Sequence, residues 1–209
     1  MDQAARDAAP GEYRGELSVS AAGGAAARVP VELRVADWAL PEPRDFRTFV
    51  SLYQSPETVA MQYGVELWSE PHWKLLERSW ELLGRAGNKV AIVHAVEQTQ
   101  FGNERSTIHW IRKPDGSYDW DFSAFDRYLG LAARHCGKLD YVALQIVHVG
   151  NLFNSKNSWS VCPPDQVVTV TVKDPASGKL ESLAAPRFNT DEGRKFWKPY
   201  LAAVSAHLD

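Results

Sequence analysis

The run KVAIVHAV, residues 89–96, constrains the fold of this 209-residue chain more than any other stretch. From Val90 onward it is apolar except for His94, without alternation, and it is too short and too rich in β-branched residues for a helix. A strand of that kind is buried on both faces, and such strands belong to parallel sheets covered by helices. LDYVALQIV, residues 139–147, repeats the pattern. Helical spacing lies before and between the two runs, so strands and helices alternate and imply βαβ units. Right-handed crossovers then gather the strand ends along one edge of the sheet.

The neighbouring segments fill in this plan. FRTFVSLYQ (46–54) reads as a first strand. VELWSEPHWKLLERSWELLGRAG (65–87) carries a helix with Ser69 as N-cap, Pro71 in the first turn and Gly87 as its stop. Trp73, Leu76, Trp80 and Leu83 form its buried stripe. STIHWIRKPDGSYDWDFSAFDRY (106–128) reads as a third strand bearing His109 and Trp110, a Pro-Asp-Gly turn, and a return through Tyr118 and Trp120. A helix follows that buries Phe122, Phe125, Leu129, Ala132 and Ala133. VVTVTVKD (167–174) pairs with the segment after Ser177-Gly178, and a final helix runs from about Thr190 to His207. Pro199 predicts a kink or restart within it.

The fold class is α/β, as a doubly wound sheet or a (β/α)₈ barrel. No G-x-G-x-x-G or G-x-x-x-x-G-K-[ST] motif follows a strand, which disfavours nucleotide binding. A complete barrel takes about 250 residues, and only three or four βα units follow residue 45. The expectation for residues 46–209 is therefore the N-terminal part of a barrel.

Residues 11–37 form a unit of different character. Leu17 and Val19, then Val29, Val31, Leu33 and Val35, alternate on two arms around Gly23-Gly24, the pattern of a hairpin with one buried face. Two strands alone are marginal in water. Residues 11–40 are thus expected to end a β-sandwich whose other strands lie upstream, after a disordered start at 1–10. Pro41 and Pro43 make 41–45 a stiff linker.

Composition narrows function mainly by exclusion. Net charge is −3 with Lys and Arg scattered, against the concentrated basic surface that nucleic acid or an anionic membrane requires. No apolar run is long enough to span a bilayer. The start MDQAARDAAPGEY has no export-signal pattern. Cys136 and Cys162 make neither a disulfide framework nor a zinc site and read as free thiols. No cofactor is indicated. Eight tryptophans exceed what a core needs, and indole faces stack well on a sugar ring.

In a barrel, chemistry sits where strands end and loops begin. That selects Gln54, His94, Glu97 and Gln98, then His109 and Trp110, and, after the 139–147 strand, His148, Asn151, Asn154 and Trp159. Glu97 is the best-placed carboxylate for general acid or base work, against the plainer reading of a solvated loop residue. His94 and His148 sit in apolar runs, where a hydrogen-bonded core histidine is the commoner outcome. His94, His109 and His148 converging on a metal is the alternative, but they lack short ligand spacing. Trp110, Trp120 and Trp159 are sugar platforms or packing residues. No G-x-S-x-G nucleophile motif is present.

PGEYRGELSV…VPVELRVADWALP, LWSEPHWKLLERSWELL and IHWIRKPDGSYDWDFSAFDRYL together resemble glycoside hydrolase family 123 over nearly the whole chain from residue 10. The resemblance implies a β-sandwich joined to a (β/α)₈ barrel, a glycan ligand, and removal of β-linked 2-acetamido-2-deoxy-galactose from extracellular or periplasmic glycans. It implies a retaining mechanism in which the substrate's acetamido oxygen is the nucleophile and an Asp-Glu pair at a barrel strand end assists. The only Asp-Glu dipeptide here, Asp191-Glu192, opens the final helix, where acidic residues suit the macrodipole. The catalytic pair is therefore expected beyond Asp209. Two other functions compete: a non-catalytic carbohydrate-binding module, and a half-barrel that pairs with a second copy through its open edge.

Overall fold

The computed structural model describes residues 8–99, 103–146 and 168–209. The chain divides after Glu42 into two compact units. In the first, β1 (Gly11–Val19) and β2 (Ala27–Val35) pair antiparallel, with Leu17 opposite Val29 and Tyr13 opposite Leu33. The opposite face is charged, with Arg14 3.3 Å from Glu32 and Arg28 3.2 Å from Glu16. The apolar face is open, and Leu17 keeps 55% of its surface exposed.

The second unit holds helices α1 (Pro56–Tyr63), α2 (Glu70–Arg85), α3 (Ser123–Cys136) and α4 (Asp191–Leu208). Its strands are β3 (Val90–His94), β4 (His109–Arg112), β5 (Tyr118–Asp121), β6 (Tyr141–Gln145), β7 (Thr169–Lys173) and β8 (Leu180–Ala184). It is a mixed α/β unit with two small, unclosed sheets. β3 and β6 pair in parallel, and β5-β4-β7-β8 form the other sheet, in which β4 and β7 are parallel.

The expected strand at 46–54 is not regular. It makes a single parallel bridge, Val50 to Asn88, with Lys89 N donating to Val50 O. The Asn88 side chain takes the next ladder position, its Oδ1 accepting from Leu52 N at 2.9 Å. Three residues after Leu52, Ser55 caps α1 by accepting from Thr58 N, Pro56 occupies the first turn, and Gly64 closes the helix in the left-handed region. That helix was not expected.

In α2, the cap, proline and buried stripe lie where the sequence puts them: Ser69 accepts from His72 N, and Trp73, Leu76 and Trp80 are buried. α3 buries Phe125, Tyr128, Leu131, Ala132 and Cys136. Phe122 and Leu129 are half-buried and Ala133 is exposed, so the buried stripe is rotated from the expected one. The Cys136 thiol is free, while Cys162 lies outside the described residues.

β3 is buried throughout. β6 is covered on one face only: Val142 and Leu144 pack on the core, whereas Tyr141 is 63% exposed. A continuous apolar run reports what a strand can bury, and on that second face Phe49 meets Tyr141 edge-on at 5.3 Å while Ala143 stays exposed.

The larger correction concerns β4, expected as a third strand beside β3. The β4–β5 hairpin is instead inserted between β3 and α3, and the β7–β8 hairpin between β6 and α4. Both insertions leave from C-terminal strand ends and join each other through the β4–β7 pairing. α4 runs through Pro199 as one continuous helix rather than restarting.

Candidate functional site

Two parallel strands and one extended segment bring polar side chains to their C-terminal ends. In the β3–β6 register His94 lies opposite Gln145, level neighbours on the same face of the pair. Ala91 and Val93 face the helices with their partners Val142 and Leu144. His94 and Gln145, one place out of step with that packing, belong to the other face.

The segment carrying Gln54 runs beside β3. Val50 bridges Asn88 at the entry to β3, and Glu57, at the start of α1, reaches its exit: His94 Nδ1 donates to Glu57 Oε2 at 3.3 Å. Gln54 lies between those two anchors. It is 6% exposed, and neither its Oε1 nor its Nε2 has a hydrogen-bond partner among the described residues. Glu57 Oε1 and Gln145 Oε1 are likewise buried without one. A buried polar atom left unpaired costs about 1–3 kcal/mol, so several at adjacent strand ends mark a place built to receive hydrogen-bonding groups.

Glu97 stands one turn of chain beyond His94 and is 3% exposed. Its Oε1 accepts from Thr171 Oγ1 at 2.6 Å and lies 3.7 Å from Arg105, while its backbone N–H donates to Thr169 O. This braces the loop after β3 against β7. The same loop is knotted by Asn103, whose Nδ2 donates to Val96 O and Arg105 O and whose Oδ1 accepts from Thr99 N. Gln98 adopts the left-handed region at φ 55° and points its exposed surface outward, its N–H donating to Asn103 O.

His109 belongs to the other sheet, opposite Asp121, and its burial pushes the imidazole below its ordinary value. It does not join His94, and among the described residues no three metal-ligating side chains come together. Of the two readings for Trp110, platform or packing, its surroundings are those of a packing residue. It is fully buried, with Phe196 stacked 4.3 Å from one side and Tyr200 also stacked on it at 4.8 Å. Trp120 is half-buried, cross-strand from Trp110. His148, Asn151, Asn154 and Trp159 lie outside the described residues.

Glu57 and Gln145 escaped the sequence reading. Gln145 occupies a strand end and was available to the same rule that selected His94. Glu57 sits in an unforeseen helix. Asp191-Glu192 occupies the exposed first turn of α4, where Thr190 accepts from Gly193 N and Asp191 pairs with Arg194.

A family model described as glycoside hydrolase 123, catalytic domain, matches residues 53–209. A solved structure of a family 123 glycoside hydrolase from Clostridium perfringens, reported for glycolipid glycan hydrolysis, is similar with a TM-score of 0.72 and 22% identity. The similarity covers 97% of this chain and 34% of that one, so this chain spans about a third of its length. No curated protein matches the chain.

Proposed function

The chain belongs to glycoside hydrolase family 123, and from that membership we propose that it supplies the sugar-gripping part of a glycosidase acting on β-linked N-acetylgalactosamine. The observation that supports this is the set of buried, unpaired polar atoms on Gln54, Glu57 and Gln145 around the His94 strand end. Gln54 offers an acceptor oxygen and an NH₂ with two donor hydrogens, and Gln145 a further acceptor oxygen, the complement of neighbouring hydroxyls on a pyranose or of an acetamido group. Glu57 fixes the His94 ring by accepting from Nδ1, which presents the imidazole in one orientation.

In this reading the segment 46–54, β3 and β6 are neighbouring strands of a (β/α)₈ barrel, and the β1–β2 hairpin ends a β-sandwich. The reaction is substrate-assisted, an exception to the two-carboxylate scheme. The carbonyl oxygen of the substrate's acetamido group attacks the anomeric carbon as the bond to the leaving oxygen breaks. An Asp on a strand beyond Asp209 orients the acetamide, and the adjacent Glu protonates the leaving oxygen. Water then opens the cyclic intermediate from the same face, with retention. Asp191-Glu192 takes no part, and Glu97 acts as a brace.

Calorimetry with N-acetylgalactosamine, galactosamine and galactose tests the reading, alongside turnover of an aryl β-N-acetylgalactosaminide. Residues 1–209 are expected to bind the acetamido sugar best and to release no aryl alcohol. Gln54→Leu should weaken binding by roughly tenfold, the scale of a lost buried hydrogen-bond pair. Equal, weak affinity for all three sugars, unchanged by Gln54→Leu, would sink it.

A further inference from the structure

A second aromatic site lies away from the strand ends, between the β4–β5 hairpin and α4. It is a cleft of about 290 Å³ floored by Tyr118, Trp120 and Phe196, with the fully buried Trp110 beneath them. The floor is held rigid by ring contacts: Tyr118 meets Trp110 edge-on at 5.2 Å and Phe196 at 5.5 Å, and Trp120 meets Trp110 at 5.8 Å. Gly116, at φ 83°, turns the hairpin tip so that the backbone of Gly116 and Ser117 closes one end. Such a volume lies at the lower edge of small-ligand sites, roughly 300 Å³ and upward, the size of one ring rather than a chain.

The rim decides what kind of ring. Glu192 and Lys195, one turn apart on α4 and both exposed, set an acceptor and a donor on the same edge. The third element is Pro199, which also lines the cleft. Its exposed ring adds an apolar edge. An apolar aromatic floor bordered by a carboxylate acceptor and an ammonium donor complements a neutral pyranose, which has apolar C–H faces and hydroxyls around its edge. A plain hydrocarbon would leave the rim unused, and an anion would meet Glu192.

We infer that this cleft is a second carbohydrate subsite, holding a sugar ring of the glycan farther from the bond to be cut. The inference rests on the glycan reading above. In chain order the β4–β5 hairpin follows β3, and the β7–β8 hairpin that pairs with it precedes α4.

The test compares N-acetylgalactosamine with a neutral tetrasaccharide ending in β-linked N-acetylgalactosamine, by calorimetry on the 209-residue chain. The tetrasaccharide is expected to bind roughly tenfold tighter, the contribution of one aromatic stacking contact. Trp120→Ala should remove that advantage and affect the monosaccharide far less. Glu192→Ala guards against misfolding as the explanation: this exposed rim change should leave the unfolding temperature nearly unchanged while lowering tetrasaccharide affinity. Equal affinity for both lengths, or an advantage untouched by both variants, overturns the cleft and leaves the strand-end reading standing. If neither sugar binds, both fall together.

Discussion

His72 shows how one residue sets the acid limit of this unit. It is fully buried at the start of α2, where Nε2 donates to Pro56 O at 2.9 Å and Nδ1 accepts from Trp68 N at 3.0 Å. Both nitrogens are used by the neutral tautomer, so protonation would set two donors against each other. Burial accordingly holds its pKa below the ordinary 6.5. As pH falls through 6.5 the unfolded chain takes up a proton that the folded chain resists, so stability is present above that pH and is lost below it. Urea unfolding at pH 7.5 and pH 5.5 should show a fall in midpoint that shrinks in His72→Gln. His109, buried and shifted the same way, contributes a remainder. A wild-type midpoint independent of pH would contradict this account.

At the scale of elements, the contact between α2 and α3 is set by a glycine. A Cβ on Gly84 would lie 2.1 Å from the backbone oxygen of His135, where no side chain can yield. Gly84→Ala should therefore cost about 1–3 kcal/mol or more, as overpacking does. Gly130, in α3, would meet nothing within 4 Å, and Gly130→Ala should gain about 0.5–1 kcal/mol from helix propensity. Chemical denaturation of the pair separates packing from propensity, and equal effects of the same sign would refute the explanation.

The same elements show what the sequence could disclose. The Ser69 cap, the Trp73–Leu76–Trp80 stripe and the Pro114-Asp115-Gly116 turn are local patterns, and each produced its element. Sheet membership was not legible, because β4 pairs with β7 some sixty residues later and no local pattern encodes that partner. The segment 46–54 has strand composition but loses its ladder to the Asn88 side chain. Gln54 and His94 were singled out from the sequence as residues at expected strand ends. Glu57 was not, since only folding brings the first turn of α1 to the end of β3.

For the whole molecule, three features stand out among the described residues: the exposed apolar face of β1–β2, the exposed Tyr141 on β6, and the buried polar strand-end cluster. The first two are apolar, with Leu17, Leu33 and Tyr141 more than half exposed. The third is polar and buried, which suits a ligand, and it carries the central claim. The most direct test is a heteronuclear NMR titration of the chain with methyl β-N-acetylgalactosaminide. The account predicts that the Gln54 and Gln145 carboxamide signals and the His94 imidazole signals move together along one saturable curve. Sugar binding that leaves all three residues unperturbed would contradict it.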